Sequence, residues 1–189
     1  MSVYLDVPYV TQLAFGVNKS LNDPTGCWYA SCCMVAFHFE AGPRLGVPEL
    51  YSSSSGHLPI GGGEATKALK AKGINTTSGG EEIMAKREGL EPVPDLATDR
   101  KLAALELLLR SNGPIYFAWF KTHGGSTYGH ISVLIGTDDA KSQVIFHDPE
   151  NAPNSRLSLT AYNAKRMRGT YDMLRRKGVI SSMVRTTKP

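Results

Sequence analysis

The sequence predicts an α+β fold, because apolar residues recur first at helical spacing and then in runs of strand character. Helical spacing is clearest after Gly26 and over residues 98–113. Runs rich in β-branched and aromatic residues follow at 114–120, 130–137 and 143–148. Because a short polar connection separates the last two runs, we expect them to form an antiparallel hairpin. Helices packed on an antiparallel sheet are therefore expected.

Length and composition bound the domain organisation. The chain has 189 residues, of which 41% are apolar and 20% charged, and this is enough for one sizeable core. No linker marks a boundary, so we expect residues 1–189 to form a single domain. The net charge of +4 comes from 21 Lys and Arg against 17 Asp and Glu. The basic excess gathers after residue 155, where it can meet an acidic partner.

The sequence shows neither a secretory signal nor a membrane span. A signal needs a basic start, an apolar run and a cleavage site, which residues 1–12 lack. No apolar run approaches the ~18 residues that cross a bilayer. We expect a protein made in the cytoplasm without membrane insertion, and export without a cleaved signal stays open. The Gly-rich residues 61–67 lack the context of a phosphate loop, and we expect no nucleic acid partner.

The first elements are a short strand and a buried helix. Residues 3–10 alternate between apolar and polar, which is typical of a strand. A polar, turn-prone segment then ends at Gly26. Four apolar residues follow at helical spacing: Ala30, Cys33, Met34 and Phe37. The helix should stop at residues 41–43, and Cys27 should lie in its first turn.

The middle of the chain alternates between loops and helices. Residues 51–63 predict a Ser- and Gly-rich loop, and residues 64–73 a short helix. Residues 75–99 include Gly79, Gly80, Pro92 and Pro94 as helix breakers and are expected to be irregular. Residues 98–113 predict a helix that Thr98 caps and Gly113 follows.

The C-terminal part carries weaker signals. Residues 158–169 predict a further helix or turn. Residues 179–187 predict an edge strand.

The three cysteines raise the question of chemistry. An odd number with a vicinal pair does not suit a secreted disulfide framework. Zinc would need a second pair of Cys or His, which the sequence lacks, so we expect no metal and no cofactor. Cys32 and Cys33 lie deep in the predicted helix and are expected to pack in the core. Cys27 meets the positive end of the helix dipole, which favours a thiolate.

A cysteine nucleophile needs a base, and the base needs an orienting partner. His130 follows a glycine at the start of a predicted strand, and Asp148 ends the next strand before Pro149. In an antiparallel hairpin the start of one strand lies beside the end of the other. The pattern therefore predicts that His130 and Asp148 meet at one end of the hairpin.

The other histidines are weaker candidates. His147 points to the opposite face from Asp148 and should be structural. His38 lies in the cysteine helix and His57 in a Ser-rich loop, both without carboxylate neighbours in sequence. His123 is the one rival base, because its loop borders the same site.

Five segments carry a resemblance to a known family: VPYVTQ, GCWYASCCMV, GPIYFAWF, YGHISVLIG and VIFHDPE. In this order they resemble the bacterial papain-like cysteine proteases. The nearest likenesses are the leader-cleaving peptidase domains of bacteriocin exporters and the papain-like effector proteases of bacterial pathogens. The resemblance covers most of residues 5–150. It implies a papain-like cysteine protease fold, with the nucleophile helix packed on an antiparallel sheet.

The resemblance also implies roles for four residues. Cys27 would be the nucleophile, His130 the general base, and Asp148 the group that fixes the imidazole tautomer. Gln12 would donate to the oxyanion beside the N–H of Cys27. The family usually carries this Gln only a few residues before the Cys, whereas residues 14–26 intervene here. Asn22 is therefore an alternative donor.

The expected function is a cysteine protease that cleaves peptide bonds in protein substrates. We expect a bacterial effector or toxin that is delivered into another cell. In the bacterium that produces it, a cognate inhibitor protein would keep it inactive. Two alternatives remain open. The same triad can deamidate a glutamine or transfer an acyl group, and an inactive binding module can use the basic tail to hold an acidic partner.

Overall fold

The computed structural model of the protein describes residues 2–13, 26–39, 80–94 and 98–187. Within these ranges the α-helices are α1 (Cys27–Phe39), α2 (Gly80–Arg87), α3 (Leu102–Asn112) and α4 (Leu159–Lys165). The strands are β1 (Val3–Tyr4), β2 (Leu90–Pro92), β3 (Ile115–His123), β4 (Ser126–Asp138), β5 (Gln143–His147), β6 (Ser155–Ser158) and β7 (Met173–Arg176). The loop expected at 51–63 and the helix expected at 64–73 lie outside the described residues.

The seven strands form one antiparallel sheet. Its order is β2-β7-β3-β4-β5-β6, and β1 pairs with β4 beside this path. All of the pairings between these strands are antiparallel. Helices combined with an antiparallel sheet agree with the predicted α+β class.

The hairpin predicted between 130–137 and 143–148 is confirmed. β4 and β5 pair antiparallel, with Val133 opposite His147 and Asp138 opposite Gln143. Asp148 is the first residue after β5. This register carries the chain back along β4, so that Asp148 arrives near His130.

A second hairpin, between β3 and β4, was not expected. Gly124 and Gly125 form its two-residue turn with φ values of 56° and 81°, which a two-residue hairpin turn requires and glycine adopts without strain. β4 therefore begins at Ser126, and His130 lies inside the strand rather than at its start. It stands opposite Trp119 of β3.

Helix α1 is buried on nearly all sides. Only Cys27, Phe37 and Phe39 retain partial exposure, while the other ten residues are buried. The helix contacts β4 and β3, and Cys32 Sγ lies 3.8 Å from Met84 Sδ of α2. Cys32 and Cys33 are buried core residues, as predicted.

The irregular stretch expected at residues 75–99 is wrong for residues 80–92, whereas the described residues 93–94 and 98–99 belong to no helix or strand. Gly80 begins α2 rather than breaking it. Leu90–Pro92 forms β2, an edge strand that pairs with β7 alone in the sheet order. Proline is tolerated there because an edge strand does not need every backbone N–H for its ladder.

The helix expected at 98–113 is confirmed, but its start differs. Lys101 precedes the first turn of α3, and no side chain among the described residues caps it. Thr98 is therefore not the cap. Gly113 follows the helix with φ 74° and donates its N–H to the Leu109 carbonyl at 2.8 Å.

The C-terminal predictions are half correct. The helix expected at 158–169 is α4, whose N-cap Ser158 accepts the Ala161 N–H at 3.1 Å. The edge strand expected at 179–187 is wrong. Ser181–Met183 is a 3-10 helix, and Thr186 forms an isolated bridge with Leu5. The strand in this region is β7, which the basic sequence MLRR did not indicate.

Among the helices in the described part of the chain, none combines the length and the apolar character that a bilayer crossing requires.

Candidate active site

Cys27 is the first residue of α1. All three cysteines lie in this helix as thiols rather than disulfides, and Cys27 alone is partly exposed. The Gly26 carbonyl accepts the Ala30 N–H at 3.0 Å, which starts the helical ladder. The first backbone N–H groups of a helix have no intrahelical acceptor and present positive charge. The accessible thiol thus lies at the end of α1 that favours a negative charge.

His130 is held by Asp148. The imidazole Nε2 lies 2.7 Å from Asp148 Oδ1, and both residues are 2% exposed. Trp119 and Tyr128 present ring edges around the imidazole, with centroids 5.9 and 6.1 Å from it. The pair is therefore shielded from water, which strengthens the interaction between opposite charges.

The side chain of Cys27 interacts with His130 and raises its pKa. Asp148 occupies Nε2 and leaves Nδ1 as the other ring nitrogen. Burial lowers the pKa of His130, but the hydrogen bonds and the charges of Asp148 and Cys27 outweigh it and raise the pKa to about 9. Near neutral pH the imidazole is thus protonated. A protonated His130 beside Cys27 can serve as the acid for a leaving group.

Asp148 is fixed from three directions. Its Oδ1 accepts the Glu150 N–H at 3.0 Å in addition to His130, and its Oδ2 accepts Lys121 Nζ at 2.7 Å. Its backbone carbonyl accepts the Tyr9 hydroxyl at 2.9 Å. Burial raises the pKa of Asp148, but His130 and Lys121 lower it below its ordinary range. Asp148 is therefore a carboxylate throughout the neutral range.

A second carboxylate lies behind Asp148. Lys121 Nζ is 2.7 Å from Glu150 Oε2, which also accepts the Tyr128 hydroxyl at 2.6 Å. Lys121 and Tyr128 are opposite each other in the β3–β4 register. Burial raises the pKa of Glu150, but Lys121 and Tyr128 lower it below its ordinary value. Glu150 is therefore an anion, and Lys121 lies between two negative charges.

Three potential metal ligands meet in this region, His130, Asp148 and Glu150, with ligand atoms within 4.8 Å of one another. Lys121 Nζ makes 2.7 Å contacts to both carboxylates. The positive charge that a metal ion would bring is thus already supplied by an ammonium group. The donor set fits an internal ion-pair network better than a metal site.

Gln12 lies beside the same turn. Its side chain is buried, and its backbone N–H donates to the Pro149 carbonyl at 2.9 Å. The Thr11 hydroxyl donates to the same carbonyl at 2.9 Å. The N-terminal arm is thereby fixed next to Asp148. The oxyanion role of Gln12 stays a prediction, and Asn22 lies outside the described residues.

The model of the peptidase C70 family, described as papain-like cysteine protease AvrRpt2, matches residues 1–167. The chain belongs to this family. It is a papain-like cysteine peptidase and hence a hydrolase that acts on protein substrates. The match includes the cysteine helix, the His130 strand and the Asp148 turn.

The remaining described histidines of this peptidase have other surroundings. His123 is exposed at the tip of the β3–β4 hairpin, four residue pairs from the Trp119–His130 pair. His147 is buried, with Nε2 2.9 Å from the Val7 carbonyl. His38 Nδ1 lies 2.7 Å from the Asp6 carbonyl. His147 and His38 thus fix the N-terminal arm, and His57 lies outside the described residues.

Sequence reasoning missed three residues of the site: Lys121, Tyr128 and Glu150. A lysine inside the apolar run of β3 was the available signal, because lysine is almost never fully buried unless it is paired. Its partners could not be read from the sequence, since they depend on the β3–β4 register and on the turn after Asp148.

Proposed function

We propose that this peptidase cleaves peptide bonds through Cys27, His130 and Asp148, on a papain-like fold in which α1 carries the nucleophile. One observation carries the proposal: His130 Nε2 lies 2.7 Å from Asp148 Oδ1, and the side chain of Cys27 also interacts with His130 and raises its pKa. This bridging is the arrangement that activates a cysteine nucleophile and orients its base.

Acylation begins from the thiolate–imidazolium pair. Cys27 Sγ attacks the carbonyl carbon of the scissile peptide bond and forms a tetrahedral oxyanion. The intermediate collapses, the C–N bond breaks, and the leaving amine takes the proton from His130. The products are a thioester on Cys27 and a neutral imidazole, while Asp148 keeps the ring oriented throughout.

In deacylation, water takes the place of the leaving amine, and the proton moves to His130 instead of away from it. Neutral His130 takes a proton from water as the oxygen attacks the thioester carbonyl. Collapse of the second tetrahedral intermediate releases the carboxylic acid and restores the thiolate beside the protonated imidazole. One peptide bond and one water are consumed, and the enzyme returns to its starting state.

The oxyanion needs two hydrogen-bond donors. The backbone N–H of Cys27 is at the start of α1, where helix geometry leaves it without an intrahelical acceptor. The side-chain amide of Gln12 is the second donor in our proposal, since Gln12 is buried next to the Asp148–Pro149 turn. Removal of one such donor typically costs about 10²- to 10³-fold in kcat.

We further propose that the protease is a bacterial effector, made in the cytoplasm and delivered into another cell without a cleaved signal. Membership of the family of AvrRpt2 supports this biological setting. A cognate inhibitor protein that covers Cys27 would keep the enzyme silent in the cell that makes it. Copurification of such a protein with the Cys27→Ala variant from the producing bacterium tests this part.

A peptide library derived from a whole proteome tests the reaction. The library is incubated with the wild type or with Cys27→Ala, and new N-termini and altered masses are identified by mass spectrometry. New termini that appear with the wild type alone support the protease. An intact peptide that gains about one mass unit at a glutamine would instead indicate deamidation, and no change of either kind would favour the binding module.

A further inference from the structure

Lys121 is a buried cation that the proposed reaction does not use. Its side chain is 7% exposed, and Nζ makes 2.7 Å contacts to Asp148 Oδ2 and Glu150 Oε2. Charged groups are seldom buried unless each is paired, since removal from water disfavours them. Both carboxylates accept Lys121 Nζ, and Lys121 lowers the pKa of each of them.

The position of Lys121 relative to His130 is specific. Asp148 presents Oδ1 to His130 and Oδ2 to Lys121, so the two cations share one carboxylate. Glu150 in turn holds Lys121 from the other side. Charges alternate along this path, from His130 through Asp148 and Lys121 to Glu150.

We propose that Lys121 is a positioning residue that acts on His130 through Asp148, and that the Lys121–Glu150 ion pair sets the pH range in which the Cys27–His130 pair persists. This inference rests on the proposed function. It goes further, because it assigns a role to two residues that do not take part in bond making or breaking.

The charges predict opposite effects for the two partners. Without the positive charge of Lys121, the Asp148 carboxylate interacts with His130 as its one cationic partner among the described residues, and His130 then binds its proton more tightly. A Glu150 carboxylate oxygen lies within 4.8 Å of a ring nitrogen of His130. Removal of its negative charge takes away this direct attraction and leaves Lys121 less neutralised, so His130 releases its proton more easily. A charge within about 4 to 6 Å shifts a titration by about one pH unit or more.

Other ionisable groups around His130 stay the same in this comparison. Cys27 of α1 and Tyr128 of β4 interact with His130 itself. Tyr9 of the N-terminal arm contacts the Asp148 carbonyl, His147 precedes Asp148 and contacts the Val7 carbonyl, and Lys165 of α4 lies over Trp119 at 5.8 Å from the ring centroid. Burial raises the pKa of Tyr128, and the hydrogen bond to Glu150 adds to this, so its hydroxyl is neutral. Burial lowers the pKa of His147, which is neutral as well.

The rate at which iodoacetate alkylates Cys27 tests the inference without a peptide substrate. Iodoacetate is an anion that reacts with the thiolate and is attracted by the imidazolium. A plot of the alkylation rate against pH should therefore rise along an acid limb and fall along a basic limb, where His130 loses its proton. Intact mass and peptide mapping assign the alkylation to Cys27 rather than to Cys32 or Cys33.

Four variants separate charge from structure. We expect the basic limb to move up by about one pH unit in Lys121→Met and down by about one in Glu150→Gln. Lys121→Arg keeps the charge and should keep the wild-type limb. The double variant Lys121→Met/Glu150→Gln removes both charges and should return close to the wild-type limb. Thermal unfolding of each variant shows that the fold persists.

Two results would overturn the inference. One is a basic limb that stays at its wild-type pH in both Glu150→Gln and Lys121→Met. The other is a Lys121→Arg limb that moves as far as that of Lys121→Met, because lost packing rather than lost charge would then be the cause. Failure of the proposed function looks different: the wild type itself would then lack the basic limb or the preference for Cys27.

Discussion

Nε2 of His130 lies 2.7 Å from Oδ1 of Asp148, although the two residues belong to different segments of a hairpin and are 18 positions apart. Both side chains are buried, and the bond leaves the opposite edge of the imidazole for Cys27. Most of the chemistry expected of this peptidase depends on that bond. It orients the imidazole and supplies negative charge that keeps the ring protonated.

The pH dependence of kcat/KM should be bell-shaped, with its basic limb at about pH 9. Burial opposes protonation of His130, but Asp148 and Cys27 raise its pKa to about 9. Acylation needs the imidazolium as the acid for the leaving amine, so activity is retained at pH 7 to 8 and lost above that limb. Initial rates on a cleaved peptide from pH 5 to 10 measure this. A basic limb near 6.5 would contradict the ion pair.

Asp148→Asn should lower kcat/KM by about 10²- to 10⁴-fold. The amide keeps the shape but removes the negative charge that raises the pKa of His130, so the basic limb should also move to lower pH. Steady-state kinetics measured across pH report both effects. Asp139→Asn is the matched control, because Asp139 is exposed in the turn between β4 and β5. Equal losses in the two variants would argue against a specific role.

Cys33→Asp should unfold the protein or lower its free energy of unfolding by at least about 3 kcal/mol. Cys33 is 4% exposed in α1. A carboxylate at this position would be a buried negative charge that the native structure is not arranged to neutralise. Leu107→Asp is the matched control, since Leu107 of α3 is 66% exposed. Urea unfolding followed by circular dichroism compares them. Similar stabilities for the two variants would contradict the buried position of Cys33.

Stability should decrease as the pH falls below about 6.5. Burial lowers the pKa of His147 and of His38 in the folded protein, whereas the unfolded chain takes up protons near the ordinary value. Their contribution is therefore present above about pH 6.5 and is lost as the pH falls toward the lower folded pKa, by up to about 1.4 kcal/mol per pH unit and histidine.

His147→Gln isolates one of these two contributions. The slope of the free energy of unfolding between pH 6.5 and 5 should be smaller in this variant than in the wild type. His123→Gln is the control, because His123 is exposed at the hairpin tip. Urea titrations at several pH values give the slopes, and identical slopes in His147→Gln and the wild type would show that His147 does not couple folding to pH.

The parts of the fold that the sequence predicted are those with local signals. Cys27 at the first turn of α1 followed from a turn and a helical apolar pattern, and the β4–β5 hairpin followed from two apolar runs around a short polar connection. Gly124 and Gly125 also carried a local turn signal. This turn starts β4 at Ser126 and places His130 inside the strand, whereas the apolar run alone predicts His130 at a strand start.

The parts that could not be predicted depend on contacts between distant segments. Lys121 and Glu150 are 29 positions apart, and their ion pair exists because β3, β4 and the turn after β5 converge. β7 lies between β2 and β3 in the sheet, an order that no local pattern of MLRR indicates. The position of His130 beside Asp148 was predictable from hairpin geometry, whereas the charges behind Asp148 were not.

The most direct test of the central claim is to locate the acyl group during turnover. The enzyme is mixed with a peptide that it cleaves, quenched with acid within the first turnovers, and mapped by tandem mass spectrometry. The account predicts an acyl thioester on Cys27, with neither Cys32 nor Cys33 modified and no adduct in Cys27→Ala. An acyl group on another residue, or cleavage that persists in Cys27→Ala, would contradict it.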